Sequence, residues 1–147
     1  MASLNRLAFS ATLHCLTGCA IGEILGLVIA TALGWGNGAS IALAVALAFV
    51  FGYSFTLVPL VRAGIVFATA LGLALASDTL SIVVMEIVDN AIILLWPGAM
   101  DAGLADTLFW GSLAIALAIA FVAAFPVNRA LIARGRGHAV VHAYHGH

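Results

Sequence analysis

The sequence predicts an all-α polytopic membrane protein: a four-helix transmembrane bundle with a short interfacial or re-entrant helix between spans two and three. Three observations carry that expectation. The 147 residues are 65% hydrophobic and 7% charged, whereas a soluble domain needs about 25% charged residues to clothe its surface. Lipid is therefore the solvent. The apolar residues gather into runs long enough to cross a hydrocarbon core of about 30 Å. The basic residues, five arginines and no lysine, all fall on one side of the membrane when four spans are drawn.

The first span is expected over about Ala8–Leu33. Arg6 precedes it, as in a signal peptide, but the apolar run outlasts an h-region of about 7–15 residues, so a retained helix fits better. The turn Gly34-Trp35-Gly36-Asn37-Gly38 closes it. A second span covers about Ala39–Val61, with Pro59 near its end and Arg62 behind it. Gly64–Ala76 follows, about 20 Å long as a helix at 1.5 Å per residue. That is too short to cross alone, so it is read as an interfacial or re-entrant helix, or as an extension of the third span. Ser77-Asp78-Thr79 looks like an N-cap cluster opening the third span, Thr79–Trp96, which Pro97-Gly98 ends. A loop carrying Asp101 and Asp106 leads to the fourth span, about Leu104–Phe125, stopped or kinked by Pro126.

Charge decides the number of crossings. With four spans and an inside N-terminus, Arg6, Arg62, Arg129, Arg134 and Arg136 are all cytoplasmic and the outer connections carry none, a complete positive-inside pattern. A fifth span through Gly64–Ala76 would send the last three outside. Both termini are thus expected in the cytoplasm. Residues 1–133 form the transmembrane bundle and 134–147 a His-rich cytoplasmic tail. Short connections favour up-down antiparallel packing, and Trp35, Trp96 and Trp110 suit the interfacial belt.

The candidate chemistry lies inside the spans. Glu23 is near the middle of the first, and Glu86, Asp89 and Asn90 flank the middle of the third. The spacings of three and four residues put Glu86, Asp89 and Asn90 on one helix face. An acid at mid-membrane depth costs roughly 2.5–3.5 kcal/mol on insertion scales and normally faces protein, water or a cation. No lysine or arginine lies within any predicted span to neutralise these groups. They must hold protons, share them or coordinate a cation. The bland alternative is a permanently neutral polar staple between helices.

On the first span, Cys15, Cys19 and Glu23 share a face with Gly18, Gly22 and Gly26, the small-residue pattern that lets membrane helices approach closely. Cβ atoms four residues apart on a helix are about 5–6 Å apart, against roughly 3.5–4.5 Å in a disulfide, so free thiols are expected. With His14 at the edge of the face, His14, Cys15 and Cys19 are candidate ligands for a soft metal of the copper or zinc class; otherwise the thiols only pack. In the tail, His138 and His142 are four residues apart and His145-Gly146-His147 is a short chelating tripeptide. His-rich tracts of this kind often bind metal; the plain alternative is a terminus with no metal role.

Net charge −1 and the lack of a basic stripe leave no footprint for nucleic acid. No phosphate loop, dinucleotide fingerprint or nucleophile elbow is present, so no enzymatic activity is expected. The segments HCLTGCAIGE (His14–Glu23), MEIVDNAIILLWPGAM (Met85–Met100), FPVNR (Phe125–Arg129) and RGRGHAVVH (Arg134–His142) together resemble a family of short prokaryotic membrane proteins. That family is labelled only as a domain of unknown function. The resemblance covers nearly the whole chain and implies a prokaryotic inner membrane; it assigns no residue a role. The expectation is a small protein of the lipid bilayer that binds or translocates a cation, a proton or a transition metal, alone or as a homo-oligomer. Its rival is a non-transporting scaffold or assembly subunit of a larger membrane complex.

Overall fold

The computed structural model describes residues 3–134. Four helices follow one another: α1 Leu4–Ala32, α2 Asn37–Arg62, α3 Phe67–Leu95 and α4 Thr107–Ala133. Each is long and apolar enough to span a bilayer. Helices satisfy their backbone groups internally, as a spanning segment must where no water is available. Neighbours in sequence are neighbours in space, α4 closes on α1, and α1 meets α3 across the bundle. Phe9, Val50, Val58, Ile87 and Val122 are among the large apolar side chains left exposed on the outer faces, where acyl chains would cover them.

The ends have local causes. Ser3 caps α1, its Oγ accepting from the Arg6 backbone N–H at 3.2 Å. Gly34 at φ 71° and Gly64 at φ 92° turn the chain after α1 and α2, in the left-handed region where a Cβ is unfavourable. Trp96-Pro97 and Gly98, at φ 79°, end α3, since proline cannot continue the backbone ladder. In the loop that follows, Asp106 Oδ2 accepts from Gly103 N at 2.7 Å, and Trp110 Nε1 donates to Leu104 O at 2.8 Å.

Three expectations are corrected. The separate interfacial or re-entrant helix is not there: its residues are the first turns of α3, unbroken from Phe67 to Leu95. Ser77 and Thr79 do not cap a helix. Ser77 Oγ donates back to Ala74 O at 3.3 Å and Thr79 Oγ1 to Leu75 O at 2.6 Å, the mid-helix way of satisfying a hydroxyl. The break in the chain lies earlier, at Gly64. Likewise Pro126 does not stop α4, which runs on to Ala133. Proline is tolerated in membrane helices because neighbouring groups re-satisfy the freed carbonyl.

The interior is built of small residues. Alanines of all four helices, with Gly18, Gly22, Gly26 and Gly52, are buried. A Cβ on Gly18 would lie 2.9 Å from Gly52 Cα, one on Gly26 2.6 Å from Ala44 Cα, and one on Gly22 would collide with the Leu47 carbonyl. The glycine face read from the sequence is thus the α1–α2 seam. Without a hydrophobic force between helices in lipid, such close packing is a main source of association.

Candidate functional site

α1 and α3 cross where Glu23 and Asp89 sit. Both are buried, 2% and 1% exposed. Their carboxyls face each other closely enough to interact directly. No N–H or O–H of the described residues donates to either Asp89 oxygen or to Glu23 Oε2. Two such carboxyls can hydrogen-bond to each other only when one of them carries a proton. Glu86, 6% exposed, lies near enough for its charge to act on Glu23 and to feel Asp89. Asn90 is half-buried at the margin; its Nδ2 donates to the Glu86 carbonyl at 2.8 Å and to Glu86 Oε2 at 3.3 Å. Glu86 and Asn90 also line a groove of about 320 Å³ on the α2–α3 face with Ile41, Val45 and Phe49.

Among the described residues no positive side chain answers these acids. Arg6, Arg62, Arg129 and Arg134, the arginines among the described residues, are all exposed and lie in the first turn of α1 or at the ends of α2 and α4. Arg129 Nε donates to Asn5 Oδ1 at 2.6 Å, which ties the start of α1 to the end of α4.

The cysteines sit beside the carboxyl site but belong to the core. Cys15 and Cys19 are free and buried, in a cluster with Ala48, Ile82, Met85, Ala120 and Ala124. His14 diverges from them toward α2, its Nε2 3.4 Å from Thr56 Oγ1 and its ring edge-on to Phe55. Among the described residues no three His, Cys, Asp or Glu side chains come together in a group able to hold a metal ion. The tail candidates His138, His142, His145 and His147 lie outside the described residues.

Two polar interior residues escaped the sequence reading. Asp78, expected to cap a helix, is the third buried acid on α3 and the fourth in the bundle, 1% exposed. Asn128 on α4, fully buried, donates from Nδ2 to Thr12 Oγ1 at 2.9 Å and to Ser81 Oγ at 3.1 Å. It bridges three helices. Its signal was available: carried past Pro126, the helical period puts Asn128 on the same face as Ala120 and Ala124.

Residues 4–137 match the model of a family described as a domain of unknown function, DUF4396. No curated protein and no solved structure matches the chain.

Proposed function

We propose, for a chain that belongs to the DUF4396 family, that it binds a cation at the Glu23–Asp89 pair and exchanges it with water. Glu86 and Asn90 form the rim of that site. One observation carries the reading: two buried carboxyls face each other with no lysine or arginine beside them among the described residues. Their mutual repulsion and their desolvation are both relieved by one positive charge. A proton is the first candidate, because two facing carboxyls can share one in a hydrogen bond. A transition metal is the second; it would need donors from the histidine tail or from another copy in a homo-oligomer. The arginine distribution supports insertion with both termini in the cytoplasm, in the inner membrane of a prokaryote.

The Asn128 bridge favours a second reading, in which the polar interior only fastens helices and the protein serves as a scaffold or assembly subunit. Reconstitution into vesicles separates the two. Cation binding with exchange predicts that Asp89→Asn or Glu23→Gln abolishes proton or cation uptake by the reconstituted protein from the bathing solution while the protein stays folded. Unchanged uptake in both variants, with a partner complex lost instead, would favour the scaffold.

A further inference from the structure

Where the loops between α1 and α2 and between α3 and α4 come together, the bundle opens into a vestibule of about 230 Å³. Leu27, Ser40, Ile93 and Leu113 line its helical walls, and Trp35 and Asp101 lie toward the loops. Its volume is far above the roughly 10–15 Å³ that one water requires. Leu27 and Ile93 each stand one helical turn beyond a site carboxyl, four residues after Glu23 and four after Asp89. At 1.5 Å per residue that is about 6 Å along the axis. Ser40 Oγ is spent on Gly36 O at 2.8 Å and keeps lone pairs for water or a cation. Asp101 is exposed and adds negative charge at this end.

The other side of the pair is built differently. Cys15, Cys19, Ala48, Ile82, Met85, Ala120 and Ala124, none more than 1% exposed, fill the cross-section as one cluster. Beyond them the Asn128 bridge ties α1, α3 and α4 together. From Asp89 back to Ser81 is eight residues, about 12 Å of packed helix. The α2–α3 groove beside Glu86 leads sideways, past Ile87 at 65% exposure, toward acyl chains rather than water.

From this asymmetry we infer that the Glu23–Asp89 pair exchanges its cation with one aqueous phase only, through the loop-end vestibule, and that the Asn128 end is closed. The inference rests on the cation-binding reading and adds the route. The arginines lie at the opposite end, so the vestibule faces away from the cytoplasm under the orientation proposed above.

The test uses the full chain in vesicles, with cysteine introduced at the vestibule as L27C and, on the loop where folding is less at risk, A102C. Cys15 and Cys19 are replaced by alanine in both. Each is labelled with a bulky, membrane-impermeant methanethiosulfonate, and carboxyl exchange in deuterated water is followed by infrared spectroscopy before and after labelling. The expected result is labelling at both positions and at least a tenfold slowing of the Asp89-dependent carboxyl exchange. Complete labelling with unaltered exchange, while Asp89→Asn still removes the exchanging signal, would overturn the vestibule route and leave the cation site standing. Exchange insensitive to Asp89→Asn would overturn both.

Discussion

Replacing Asn128 by alanine tests how much of this bundle is held by polar contacts. The amide donates to Thr12 Oγ1 and Ser81 Oγ at 2.9 and 3.1 Å, and neither hydroxyl is exposed. Interhelical hydrogen bonds in membranes average about 0.6 kcal/mol and reach about 1.7, so the two bonds together are worth about 1–3 kcal/mol. Thr12 is not orphaned by the change, because its own hydroxyl donates to Ala8 O at 2.6 Å. That same bond makes Asn128→Asp worse than Asn128→Ala: the Thr12 proton is already committed, and a carboxylate there would bring a new acceptor against an acceptor. The assay is unfolding in mixed micelles by denaturing detergent, run as a double-mutant cycle with Thr12→Val. A coupling of about 0.6 kcal/mol or more is expected. Additive effects, or an aspartate variant as stable as wild type, would refute the bridge.

Two further outcomes follow from packing and helix continuity. Gly22→Ala should destabilise the bundle by about 1–3 kcal/mol, the range for overpacking, because the new methyl meets the Leu47 backbone. Gly72→Ala, with open space around it, should be neutral or stabilising by about 0.4–1 kcal/mol; the same detergent titration reads both. Thr79→Pro should cost about 3 kcal/mol or more if α3 is continuous through this point, whereas a helix capped by Asp78 and beginning at Thr79 would accept proline at its first position. Folded yield and helical circular dichroism distinguish the two.

Much of the architecture was legible because the bilayer leaves few choices. Four long apolar runs with arginines on one side admit one simple topology, and the GxxxG face of α1 declared its closest neighbour by type if not by name. The carboxyl site was legible for a similar reason, since Glu23, Glu86 and Asp89 share depth and helical phase. The errors came where a local signal competed with tertiary context. Ser77-Asp78-Thr79 has the composition of a cap, but the buried period running Ala70, Ala74, Ser77, Ser81 continues straight through it. Pro126 reads as a stop, yet packing carries α4 onward and delivers Asn128 to the interior. His14 and the cysteines are adjacent in sequence but about 100° apart on the helix, enough to send the imidazole toward α2 and the thiols into the core.

The most direct test of the central claim is the infrared spectrum of the protein in membranes, with the bound cations of the same sample measured by elemental analysis. The account predicts either a protonated carboxyl C=O band that disappears or shifts in both Glu23→Gln and Asp89→Asn, or a stoichiometric cation lost from both variants. Fully ionised carboxyls at these positions with no bound cation would contradict it.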